Sequence, residues 1–254
     1  MADEKVSALT NHITSFGGTE RFYVVDYPAG SPVKGYTEYT DLESAIRSGI
    51  AAWTSESGTW TYASASTFTI SGDQTAIYVK GTKLRWVQTT TKYGVVVSSS
   101  YSAPNTTVTI AVNSDYTIAN AAISSPYYSY QVVPAGYPGW FNFVPTVTGF
   151  SPSPTVICRF NIQGNICHFE FVQTATGTSN ATTFTVTMPV TAKNTANYFQ
   201  YGCIPDCRNN GSIEAVGVVY ATPNSAILTL LRSAQAAWTA SGQKFAGFTM
   251  DVEF

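Results

Sequence analysis

The 254-residue sequence predicts an all-β, mainly antiparallel protein on three observations. Aromatic residues make up 14% of it and charged residues only 11%, against about 25% in ordinary globular chains, with Thr, Ser, Asn and Tyr in their place. Past residue 50 the helical period disappears. Runs rich in Thr, Val, Tyr and Trp then recur between turn residues at roughly eight- to twelve-residue spacing, the mark of a sandwich or barrel. The chain is long enough to bury a sizeable core, and its aromatic content argues against disorder.

Residues 1–50 form the first predicted segment. In RFYVVDYPAGSP, Phe22 and Val24 alternate with Tyr23, Val25 and Tyr27 until Pro28 stops the run, which predicts one strand. Thr40 and Glu43 make a capping box ahead of Leu42, Ala45 and Ile46, and Gly49 stands where a C-terminal cap belongs. A short amphipathic helix is expected there. The opening MADEKVSAL has no apolar run of signal length behind it, so synthesis in a cytoplasm is expected, the product staying there or leaving by lysis.

The second segment, 51–142, contains the strand-length runs GTWTYAS, STFTISG, AIYVKG, LRWVQTTTKYGVVVSSSYS and TTVTIAV. SGDQ and APN supply turn residues between them. In DYTIANAAISSPYYSY, Ile118, Ala121 and Ala122 could make one helical turn before Pro126.

In the third segment, 143–254, VICRFNIQGNICHFEF reads as a hairpin turning at Gln163–Gly164. That register sets Val156 against Phe171, Cys158 against Phe169 and Phe160 against Cys167 on one inward face. Arg159 then faces His168 on the solvated side, with Glu170 diagonal to it. TFTVTMPV, IEAVGVVYA, SAILTLLR and KFAGFTMDVEF follow, so about seven or eight strands are expected in a jelly-roll-like β-sandwich.

The chemistry of catalysis is sparse. His12 lies in the polar lead and His168 on a solvated strand face, and no nucleophile elbow, phosphate loop or HExxH helix is present. No Asp or Glu occurs between Tyr116 and Phe169, and nothing in the sequence brings Asp73 to Glu214 as a carboxylate pair. No enzyme activity, catalytic residue, cofactor or metal is expected. Cys158 and Cys167 read as small core residues. Cys203 and Cys207, a C-x3-C pair in an expected loop, could clip a metal or close a small disulfide ring, but a closed zinc site wants four ligands.

Partners follow from charge and aromatics. Thirteen Lys+Arg against fifteen Asp+Glu leave no footprint for nucleic acid. Pro134, Pro138 and Pro145 interrupt the most apolar stretch, Tyr130–Phe150, so no membrane insertion is expected. Tyr127, Tyr128, Tyr130, Tyr137 and Trp140, with Phe141 and Phe143, form an aromatic cluster. Its rings could stack on sugars at a receptor, or pack as a linker against the sandwich or another subunit.

GTWTYAS-x-STFTISGD, followed by YVKGTKLRWVQTTTKYGVVVSSSYSAPNTTVTIAVNSDYTIANAAISSPYYS, resembles a domain of tailed-bacteriophage virion proteins, notably tail-fibre and appendage chains. Trp60 to Ser129 carry the likeness. RFYVVDYPAGSPVKGYTEYTDLESAI is similar to the strand-and-helix segments that begin such fibres. The rear, from TVTGFSPSP through GTSNATTFTVTMPVTA, is similar to their terminal β-sandwich.

The resemblance implies a homotrimer and particle attachment or trimerisation through 1–50, with Phe22, Tyr23, Val24, Leu42 and Ile46 as candidate contacts. It also implies a central fibre-type domain over 51–142 and a distal sandwich over 143–254 facing a host-surface glycan or protein. Other tail, neck or head proteins would be its neighbours in the virion. The chain departs from long fibres in lacking a repetitive shaft, which leaves a compact spike open as well. A decoration protein without a receptor role and a host-glycan depolymerase are the alternatives.

Overall fold

The computed structural model describes Arg21–Asp26, Val33–Glu38 and residues 52–254. The chain divides into two units, Met1–Trp53 and Thr54–Phe254. In the first, β1 (Arg21–Asp26) pairs antiparallel with β2 (Val33–Glu38), Arg21 opposite Glu38. The strand expected over RFYVVDY is β1, which carries Phe22, Tyr23 and Val24. The helix expected after Thr40, with Leu42 and Ile46, lies outside the described residues, as does His12.

The second unit is antiparallel β throughout, and among the described residues no helix is long and apolar enough to cross a membrane. Its front part contains β3 (Thr54–Ser55), β4 (Thr61–Ser64), β5 (Thr67–Ser71), β6 (Lys83–Gln88), β7 (Thr90–Ser102), β8 (Asn105–Ala111) and β9 (Ser124–Ser129). They form one sheet in the order β3-β9-β6-β7-β8-β5-β4. The long run from Leu84 breaks into two strands at Thr89, where φ is +62° and Gln88 faces Thr90. The expected APN turn joins β7 to β8 through a cis Ala103–Pro104 bond. One face of this sheet buries Trp60, Phe68, Leu84, Trp86, Val96 and Val108.

Two expectations fail here for polar reasons. AIYVKG is a turn, not a strand: the amides of Ile77 and Tyr78 both donate to the Gln74 carbonyl at 3.0 and 3.1 Å. Tyr78 is fully buried, donating its hydroxyl to Glu56 (2.7 Å) and accepting from the Trp60 indole (2.9 Å). That buried network holds its backbone out of the ladder. The helical turn expected around Ile118 to Ala122 falls earlier, as a 3₁₀ turn at Ser114–Tyr116. The side-chain amide of Gln88 holds the later stretch in a non-helical bend by bonding the carbonyls of Ala119 and Ala121. Pro126 then sits inside β9 at a register shift, beside Ser125 at φ +47°, where a missing amide proton costs no ladder bond.

Twelve strands follow, eleven of them within 143–254, where seven or eight were expected. They are β10 (Phe141–Asn142), β11 (Val147–Thr148), β12 (Val156–Gln163), β13 (Ile166–Gln173), β14 (Gly177–Thr178), β15 (Thr185–Thr187), β16 (Gln200–Ile204), β17 (Asp206–Asn209), β18 (Ser212–Ile213), β19 (Gly217–Ala221), β20 (Ile227–Leu231) and β21 (Gln243–Glu253). Two sheets face each other over one core. The first runs β10-β12-β13-β21-β17-β18 with β14 beside β21, and the second runs β11-β15-β20-β19-β16. Phe160, Phe169, Phe171, Phe248 and Met250 of the first meet Val186, Leu228, Leu230, Val219 and Ile204 of the second. The β-sandwich is therefore present.

The β12–β13 hairpin turns one residue later than expected. Gly164 (φ +60°) and Asn165 occupy the turn and Gln163 faces Ile166. The register moves by two, so Val156 faces Gln173, Cys158 faces Phe171, Phe160 faces Phe169 and Ile162 faces Cys167. A shift of two keeps every side chain on its expected face. On the outer side Arg159 pairs with Glu170 at 2.6 Å, and His168 faces Asn161 and bonds Asp251 at 2.6 Å.

The front sheet and the sandwich share a seam. Val95 and Ala111 enter the sandwich core, and Tyr93, Tyr116, Tyr137 and Phe141 form a chain of edge-on ring contacts. Lys83, almost fully buried, donates to the Ile162 carbonyl. Gly81, at φ +84°, lies so close to Gly164 that a Cβ would stand 2.6 Å from its carbonyl oxygen.

Burial pushes Lys83 and Lys244 down to about 8. Between pH 8 and their ordinary 10.5 the unfolded chain holds protons that the native state releases, so their contribution to stability rises with pH. The thiols of Cys158 and Cys167 are pushed up to about 12 and that of Cys207 to about 11, and Tyr78 and Tyr137 are also raised, all by burial. These groups stay protonated in the native state while the unfolded chain loses protons, from about 9 for the thiols, so their contribution falls with pH. Urea midpoints are expected to climb between pH 8 and about 9 and to fall beyond it. A curve that declines steadily from pH 8 would contradict the burial of the two ammonium groups.

Candidate functional site

The expected aromatic cluster does not converge on one place. Tyr127 and Tyr128 point to opposite faces of β9, one under the Arg85 guanidinium at 4.2 Å and the other edge-on to Tyr78. Tyr137 is part of the seam, its hydroxyl donating to the Gly94 carbonyl at 3.2 Å. Phe141 is buried beside it and Phe143 is half-buried. Tyr130 and Trp140 are exposed. Tyr130 borders a cleft of about 290 Å³ between Val79–Lys83 and the Gln163–Gly164 hairpin tip. Trp140 lies under the Arg159 guanidinium at 4.9 Å.

The charged groups are engaged in local bonds. Asp73 accepts from Thr75, which lowers its pKa, while Glu214 is held by Arg232 at 2.8 Å and Ser233 at 2.9 Å. The two carboxylates thus answer to different partners. Lys193 pairs with Glu253 and Arg208 with Asp206. All four cysteines are free. Cys203 and Cys207 lie in strands, not in the expected loop: the chain changes sheets at Pro205, leaving Cys203 exposed on the outer face of β16 and Cys207 buried in β17. Opposite exposures defeat a two-point clip. Among the described residues no group of three or more His, Cys, Asp or Glu could hold a metal ion.

The two outer faces of the sandwich differ in kind. The first sheet turns Arg159, Asn161, His168, Glu170, Asp206, Arg208 and Asp251 to solvent, a solvated surface laced with ion pairs. From the second sheet no ionised side chain projects outward. Its strands alternate strictly, so the outward residues are Thr148, Thr185, Thr187, Ile227, Thr229, Leu231, Val218, Tyr220, Tyr201 and Cys203.

At the β16 edge the rings gather. Tyr201 is 65% exposed and faces Tyr220 across the ladder, with ring centroids 5.9 Å apart. Phe199, 41% exposed, stacks beside Tyr201 at 6.3 Å and 28°. The sequence reading missed these three rings. The signal was the alternation of Gln200, Gly202 and Ile204 with Tyr201 and Cys203, hidden beneath the attention drawn by the cysteine pair.

Neither known protein families, nor curated proteins, nor solved structures gave a match to this chain. What can be stated of its class is an all-β protein that ends in a β-sandwich with one charged and one neutral outer face.

Proposed function

We propose that this chain is a non-enzymatic structural protein of a tailed-phage particle, a trimeric fibre or spike whose sandwich meets the host surface. The observation that carries the reading is the inequality of the two outer sheet faces. A sheet face without ionised groups and with exposed rings is suited to contact, because burying it strands no charge. The resemblance of Trp60 to Ser129 to virion appendage domains supports the particle setting. Interlocked β bodies with ring-filled seams suit a part that works outside cells.

The test is threefold. Mass spectrometry of purified particles should find the chain, light scattering of the isolated protein should give three copies, and excess soluble protein should block adsorption. Particles that lack the chain, or a product that stays monomeric at micromolar concentration, would refute the reading. Adsorption unaffected by the soluble protein would leave a decoration role in place of the receptor role.

A further inference from the structure

The neutral face carries a row that crosses the whole second sheet. Tyr201 faces Tyr220, Tyr220 faces Thr229, Thr229 faces Thr185, and Thr185 faces Thr148. Each of the five strands contributes one residue. With neighbouring strands about 4.8 Å apart, the row spans roughly 19 Å. Resting on the contact-face reading above, we propose that this row, flanked by Phe199, binds an extended oligosaccharide of neutral hexoses.

Three features select that ligand. The step from strand to strand is close to the length of one hexose unit, so successive sugars meet successive side chains. At the β16 end, rings supply negative π faces for the positively polarised C–H face of a pyranose. At the β11 end, hydroxyls take over: those of Thr148 and Thr185 lie 2.6 Å apart, and each keeps capacity for a further bond. An acidic sugar or a charged peptide would find no counter-charge on this face.

A second copy of the chain fits less well. The rings of this face gather at the β16 end and its aliphatic side chains are divided, Thr229 standing between Ile227 and the facing pair Val218 and Leu231, whereas a stable protein interface buries a contiguous patch of about 800 Å² per partner. The threonine half of the row would add hydroxyls, not apolar area, to such an interface.

The full chain should be titrated with cellohexaose, maltohexaose and a β-galactan oligomer, followed by saturation-transfer NMR and calorimetry. At least one should bind in the roughly millimolar range or tighter. Tyr201→Ala and Tyr220→Ala should each weaken binding about tenfold, and Thr229→Val about threefold. Tyr130→Ala and Trp140→Ala should leave it unchanged, and Tyr201→Phe should retain it. Unaltered circular dichroism and melting of Tyr201→Ala would establish that its fold is intact.

No binding of any of the three at roughly 10 mM would overturn the proposal, as would binding indifferent to Tyr201→Ala. An oligomer that Tyr201→Ala dissolves would assign the row to a second copy and overturn it too. A wild-type chain that binds no hexose yet blocks adsorption would sink the sugar site and spare the contact-face reading. Binding without any block of adsorption would leave the sugar site standing and remove the receptor role.

Discussion

Lys244→Met is expected to destabilise the protein by about 1–3 kcal/mol, read as a lower urea midpoint with an unchanged slope. Lys244 is fully buried on β21, and no carboxylate accompanies it. Its ammonium instead donates to three carbonyls, those of Gly149 (3.2 Å), Thr183 (2.9 Å) and Ala181, beneath the rings of Phe150 and Trp238. Those carbonyls belong to two stretches of loop, one after β11 and one before β15, which the lysine gathers onto β21. Methionine matches the stem in shape, so little cavity opens, but it leaves the Thr183 carbonyl without its donor at about 1–3 kcal/mol, while the Gly149 and Ala181 carbonyls keep bonds from the Asn180 amide and the Ser179 hydroxyl. Relief of the buried charge offsets part of that cost. A variant as stable as the parent would mean that desolvation of the ammonium outweighs its three bonds.

Phe141→Ala should cost about 3–5 kcal/mol and, beyond that, uncouple two parts of the second unit. Phe141 is 2% exposed, stacks on Phe160 at 5.3 Å and meets Tyr116 and Tyr137 edge-on at 5.9 and 5.5 Å. Tyr116 lies between β8 and β9 of the front sheet, whereas Phe160 lies deep in the sandwich. Truncation empties the point through which the two share a core. Trp60 and Trp86 report on the front core and Trp238 on the sandwich. In the parent these reporters should lose structure together, and in the variant the transitions should separate. A single coincident transition after truncation would show that Lys83 and the Gly81–Gly164 contact suffice to join the two.

Particular residues show how far a linear reading reaches. Cys158, Phe160, Cys167, Phe169 and Phe171 were expected on one inward face and lie there, because alternation is a local property of an extended chain. The partner of each was misplaced by two, since Gly164 and Asn165 compete with Gln163 and Gly164 for the turn and both choices keep the same faces. Tyr78 looked like a strand residue and is a buried turn residue. Only Glu56 and Trp60, distant in the chain, supply the bonds that draw its hydroxyl inward. The aromatic cluster from Tyr127 to Trp140 was legible as a composition, but neighbours in sequence were dispersed among a strand face, a seam and open surface.

By itself the sequence determined that the chain is all-β, where the strand-rich segments lie and which side chains of the β12–β13 hairpin turn inward, because each depends on spacing between near neighbours. The tertiary structure alone decided the row from Tyr201 to Thr148 and the cage around Lys244. Both are alignments of segments remote in the chain, chosen by how two sheets pack and by where buried polar groups find partners, and no local period encodes that choice.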